Sequence, residues 1–116
     1  MNQQTLLEFL KLNCNGRDNA VTGEQLRKLF GCNDVREIQK AIERLRQDGS
    51  PILSVDQGDR KGYFWPSEPS EAIKTYCQMS RRAANTFKTL GNIKAGIEHE
   101  FGIKQLEIEF PKVVGL

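Results

Sequence analysis

Apolar residues recur along the first hundred positions with two different periods. From Gln3 to Leu12, the residues Leu6, Leu7, Phe9, Leu10 and Leu12 gather on one broad face at helical spacing. Thr5 stands early enough to cap this segment and Glu8 lies near its positive end, so a first helix is predicted. Asn13 to Asn19 is dense in turn formers and predicts a loop, and the pair Ala20-Val21 after it has the character of a short strand. Thr22 followed three positions on by Gln25 is a capping-box arrangement. Leu26, Leu29 and Phe30 give this second helix its apolar side, and Gly31 stops it. Asn33 is placed to cap a third helix from Asp34 to about Gln47, in which Val35, Ile38, Ala41, Ile42 and Leu45 share one face. A short helix, a three-residue turn containing glycine and a longer amphipathic helix make the helix-turn-helix pattern.

The period then changes. Asp48-Gly49-Ser50-Pro51 ends the third helix, and Ile52, Leu53 and Val55 have strand character. Gln57 to Gly62 forms a polar, glycine-bracketed tip carrying Arg60 and Lys61, and Tyr63-Phe64-Trp65 supplies a second strand closed by Pro66. A hairpin directly after such a helix is a wing. The predicted fold class is therefore mainly α with a small β-hairpin (α+β): a winged helix-turn-helix over 1–67, then a long C-terminal helix or helix pair over 68–101. Residues 102–116 form a tail that is either a strand or a docking peptide.

Beyond the wing, Ile73, Tyr76, Ala83, Phe87, Leu90, Ile97 and Phe101 alternate by three and four, the spacing of a heptad seam. Ser80 and Lys94 interrupt that seam, and Gly91 and Gly96 weaken it, so the segment is expected to break into two helices near Gly91 or to run through as one. A seam this narrow calls for a partner surface, and homodimerisation through Ile73, Tyr76, Ala83, Phe87, Leu90 and Ile97 is expected. The alternative is a helix folded back on its own domain. Arg81, Arg82, Lys88 and Lys94 face few acids and are able to hold a phosphate backbone, although solvated helix faces carry such charges without function.

Composition narrows the class. The chain has 116 residues, 38% hydrophobic and 28% charged, enough to bury a core. No apolar run approaches the roughly 18 residues that span a bilayer, and the start lacks the pattern of a signal peptide, so a cytoplasmic protein without a membrane partner is expected. Cys14, Cys32, Cys77 and the single His99 are scattered at no metal-binding spacing, and no metal or cofactor is expected. No nucleophile elbow, phosphate-cradling loop or histidine base accompanies them, so no catalytic residue is assigned and an enzyme is not expected.

With the core side of the third helix assigned, Arg36, Gln39, Lys40, Glu43 and Gln47 project outward. Arginine grips guanine by two bonds, glutamine grips adenine, and lysine reaches a base or a phosphate, so this face suits a major groove. Asp34, Glu37 and Glu43 on the same helix, and ten basic against ten acidic residues over 1–70, argue for a protein-binding or solvated surface instead. Arg60 and Lys61 at the wing tip are the expected backbone contacts. Tyr63, Phe64 and Trp65 are expected in the core or at its rim.

The run from Val21 to Pro66 resembles the winged-helix domains of small proteins of bacteriophages and prophages. The matching phrases are Val21-Thr22-Gly23-Glu24-Gln25-Leu26-Arg27, the helix from Asp34 to Arg46, the turn Asp48-Gly49-Ser50-Pro51-Ile52, and Lys61-Gly62-Tyr63-Phe64-Trp65-Pro66. That resemblance implies a nucleic-acid-associated role in phage transcription control or replication; with the helix-turn-helix spacing and the basic wing tip, double-stranded DNA is the expected partner and the cytoplasm of a bacterial host the expected location. In the tail, Gln105-Leu106-Glu107-Ile108-Glu109-Phe110 resembles the peptide by which bacterial replication proteins dock on the sliding clamp, through Gln105, Leu106, Ile108 and Phe110, with Ile108 where leucine is usual. The same alternation suits an edge strand. Two functions follow: a DNA-binding protein, or an interaction module that binds a host replication protein.

Overall fold

The computed structural model describes residues 1–104, and the docking peptide or edge strand expected at Gln105, Leu106, Ile108 and Phe110 lies outside them. The described chain is mostly helical with one antiparallel hairpin: α1 Gln3–Asn13, α2 Gly23–Phe30, α3 Val35–Gln47, β1 Leu53–Gln57, β2 Arg60–Phe64 and α4 Pro69–Phe101. A single 3-10 turn, Arg17–Asn19, follows α1. Residues Met1–Tyr76 form one compact unit, and a second begins at Cys77, inside α4.

Local chemistry sets the helix ends. Asn2, not Thr5, caps α1: its Oδ1 accepts from the Gln4 amide at 2.9 Å, and an acceptor just ahead of the first helical residue displaces one already inside the turn. The capping box on α2 forms as the sequence predicts, with Gln25 N donating to Thr22 Oγ1 (3.1 Å) and Thr22 N to Gln25 Oε1 (2.8 Å). Gly31 ends α2 in the left-handed conformation at φ 66°, which a side chain resists. Asp34 rather than Asn33 caps α3 by accepting from Arg36 N at 3.0 Å, so the connection is Gly31–Asp34, one residue longer than expected.

The core runs through Leu6 and Leu10 of α1, Leu26 of α2, and Ile38, Ala41, Ile42 and Leu45 of α3, joined by Cys14, Cys32 and Ile52. Leu53, Val55 and Phe64 bury the inner face of the hairpin, and each large side chain removed from water contributes about 1.5–3 kcal/mol. Phe9 of α1 meets Phe30 of α2 edge to face at 5.6 Å. The apolar faces are narrower than the sequence pattern. Leu12, two residues past Leu10, is turned away and 81% exposed; Leu29 is 59% exposed because α2 buries the Leu26 side and leans on Phe30.

The hairpin turns more tightly than expected. Gln57 pairs with Arg60, so only Gly58 and Asp59 form the turn, and Gly58 at φ 56° supplies the positive φ that a two-residue turn led by glycine uses. Arg60 and Lys61 therefore sit in β2 behind the tip. The short strand expected at Ala20-Val21 reduces to one antiparallel bridge between Val21 and Tyr63. Its bonds are Val21 N to Tyr63 O (3.0 Å) and Tyr63 N to Val21 O (2.7 Å). Further along the same edge, Trp65 N donates to Cys14 O and Gly16 N to Trp65 O. The loop after α1 thus covers the outer edge of β2. Helix α4 passes through Gly91 and Gly96 without a break; glycine costs only about 1 kcal/mol each in a helix.

Candidate nucleic-acid interface

On α3 the buried residues take one side, which leaves two exposed ridges on the other. Arg36, Lys40 and Arg44 recur every four residues and form a basic ridge; Gln39, Glu43 and Gln47 form a second beside it, which carries one negative charge. Arg44 was not among the candidates expected from the sequence, although its spacing from Lys40 could have pointed to it. Met1, Gln3, Glu37, Lys40, Ala41 and Arg44 line a groove of about 210 Å³ between this ridge and the start of α1. Glu37 lines that groove together with Lys40 and Arg44.

The two hairpin cations differ in freedom. Arg60 Nη1 donates to Asp18 O at 3.0 Å and its Nη2 lies 3.4 Å from Asp18 Oδ1, so Arg60 pins the hairpin to the 3-10 turn. Lys61 Nζ is 3.9 Å from Asp56 Oδ1 in an exposed pair across the strands. Such pairs contribute at most about 1 kcal/mol, so Lys61 can exchange Asp56 for a phosphate at little cost. Arg60 would first have to leave Asp18. A groove of about 330 Å³ between the start of α2 and the hairpin carries Thr22, Gln25, Gly58, Arg60 and Lys61 on its walls.

Arg46 has a different role. Its Nε donates to Ile52 O at 2.8 Å and its guanidinium lies 5.7 Å from the centre of the Tyr63 ring, which clamps the end of α3 to the hairpin. Burial pushes its pKa down, opposed by Tyr63, and its buried Nη2 has no hydrogen-bond partner. The aromatic run behaves as expected: Phe64 is fully buried, while Tyr63 and Trp65 are half-buried at the rim, with Lys11 Nζ 5.0 Å over the Trp65 ring. On α2, Arg27 closes on Glu24 at 2.6 Å, and that hydrogen bond holds the Glu24 carboxyl below its ordinary value.

Along α4 the expected seam residues divide: Ile73 (64%), Leu90 (39%) and Tyr76 are exposed, while Ala83, Phe87 and Ile97 are half-buried. The buried residue of this helix is Thr75, outside the seam. Its first turn is tied down by Glu71, which accepts from Arg17 N (3.2 Å), Ser67 N (3.1 Å) and Ser67 Oγ (3.2 Å).

Among the described residues, no group of three or more His, Cys, Asp or Glu side chains could hold a metal ion, and no helix is long and apolar enough to cross a membrane. Burial pushes the Cys14 thiol up. No family model matches the chain, and neither does any curated protein or solved structure.

Proposed function

We propose that residues 1–67 form a winged helix-turn-helix domain that binds double-stranded DNA and catalyses nothing. The observation that carries this reading is the exposed ridge Arg36, Lys40 and Arg44 on the side of α3 opposite the core. In this reading α3 enters a major groove, where Arg36 and Gln39 meet base edges, Glu43 accepts from a cytosine amino group, and Lys40 and Arg44 reach phosphates. Lys61, and Arg60 once released from Asp18, hold the backbone beside the hairpin. Helix α4 joins two copies through Ile73, Tyr76, Ala83, Phe87, Leu90 and Ile97, as the heptad spacing and the exposure of Ile73 and Leu90 support. The protein acts by occupying its site, in transcription control or replication of the phage or prophage type, inside a bacterial host cell.

The balanced charge of residues 1–70 favours a second reading, a module that binds a host replication protein and docks through the tail at Gln105–Phe110. One experiment separates the two. Binding of the full chain to random-sequence duplex is measured across a salt series, beside a variant with Arg36, Lys40, Arg60 and Lys61 changed to alanine. The DNA reading expects affinity that falls steeply with salt, and a log–log slope shallower by about 0.9 for each phosphate the variant no longer neutralises. No binding at low salt would leave the protein-interaction reading.

A further inference from the structure

Between Ala72 and Ile97 the chain carries five basic residues, Lys74, Arg81, Arg82, Lys88 and Lys94, and no acidic one. Residues 1–70 are neutral, so the net charge of +2 arises entirely beyond them, and residues 72–97 of α4 are the longest run of the chain without an acid. This stretch offers a polyanion five cations with no carboxylate between them in sequence.

Those charges have an ordered placement. Arg81 and Lys88 are seven residues apart, two turns and about 10.5 Å along the axis, so both project from the same side, with Arg82 next to Arg81. Arg81, Arg82, Asn85, Lys88 and Thr89 fall within an arc of about 120°, and all are exposed. Ala83, Phe87 and Leu90 take the opposite arc. The separation of Arg81 and Lys88 is close to three phosphate steps, each about 3.4 Å along one strand of a duplex.

We propose that Arg81, Arg82 and Lys88 form a second phosphate-binding surface that holds a nucleic-acid backbone in addition to the contacts of α3, and that this surface carries a large part of the salt-dependent affinity. The inference rests on the reading of the protein as a DNA binder. It favours nucleic acid over an anionic bilayer because a helix lying on lipid must sink its apolar side. On α4 that side is interrupted by Ser80 and by the lysine at position 94. The basic side offers Asn85 and Thr89 between its cations, groups that hydrogen-bond to phosphate oxygens.

The test compares the full chain with Arg81→Gln/Arg82→Gln/Lys88→Gln, both against random-sequence duplex across salt and against vesicles containing anionic phospholipid. Glutamine matches arginine and lysine closely in helix propensity, and removing three like charges relieves repulsion, so the variant should keep its helicity and melting temperature. Leaving three phosphates without a cation flattens the log–log slope by about 2.7, so between about 50 and 200 mM salt the variant's affinity should fall by a factor about 40 times smaller than the parent's. A variant that binds duplex with the parent's slope overturns the inference and leaves DNA binding by α3 standing. Failure of the parent itself to bind duplex overturns both. Vesicle binding by the parent that the three substitutions abolish would assign the ridge to lipid and also overturn it.

Discussion

Gly62 is the position where a single methyl group should do most damage, and the structure fixes why. Its φ is 125°, and a Cβ there would strike the Val21 carbonyl and lie 2.7 Å from Thr22 N. The obstacle is backbone on both counts, so no side-chain rotation relieves it. Making room in Gly62→Ala means pushing Val21 off the hairpin, which breaks two bonds with Tyr63 of 3.0 and 2.7 Å. Together these contribute about 1–3 kcal/mol. Holding an alanine at such a φ adds on the order of 1–3 kcal/mol. Moving Thr22 also disturbs the cap of α2, for about 1 kcal/mol more. Part of this is shared relaxation, so a total of about 3–5 kcal/mol is expected, a large share of the roughly 5–15 kcal/mol that stabilises a domain. In urea, with a slope of about 1.5 kcal/mol per molar, the midpoint should fall by about 2–3 M. Gly58→Ala is the matched control: φ is also positive at 56°, but a Cβ there meets nothing within 4 Å, so only about 1–2 kcal/mol is expected. A Gly62→Ala midpoint no lower than that of Gly58→Ala would refute the reasoning.

Two further outcomes follow from particular contacts. Burial raises the Glu71 pKa, but the hydrogen bonds from Ser67 and Arg17 and the Arg17 charge outweigh it, so the group sits below its ordinary value. A carboxyl depressed in the folded state adds stability above its unfolded pKa of about 4.3 and loses it as pH falls through the folded value. The stability difference between the parent and Glu71→Gln, measured by urea unfolding from neutral to acid pH, should therefore be constant above about pH 5 and shrink below about pH 4. A difference unchanged at low pH would contradict this. If α4 pairs two copies, the parent should scatter light as a dimer and Leu90→Glu, which sets a charge in the seam, as a monomer. A parent that is monomeric at high concentration removes the dimer.

Much of the fold was legible because short-range chemistry decided it. The Thr22–Gln25 capping box, the stop at Gly31 and the spacing of Ile38, Ala41, Ile42 and Leu45 each specify local geometry, and the helices formed where these placed them. What periodicity cannot see is which neighbour a face finds. Leu12 and Leu29 fit an apolar pattern but point away from the packing between α1, α2 and α3. The candidate site was legible on α3, where the core side defines the outer side, and less so at the hairpin. The place of Arg60 depends on whether Gln57 joins the ladder, and its tie to Asp18 crosses 42 positions of sequence. Arg46 carried no signal of its clamp, because its partners, Ile52 O and the Tyr63 ring, lie on the hairpin.

Residue-resolved mapping decides whether the face built by α3 and β2 meets duplex DNA. A nitrogen-15 correlation spectrum of the full chain, titrated with a random-sequence duplex at low salt, reads every backbone amide separately. If that face binds, amides of Arg36, Gln39, Lys40, Glu43 and Arg44 on α3, and of Arg60 and Lys61 on β2, should shift together and saturate together, while those of Leu6, Leu10 and Ile42 in the core stay still. A titration that leaves the α3 and β2 amides unmoved would contradict binding by that face, whatever else in the chain responds.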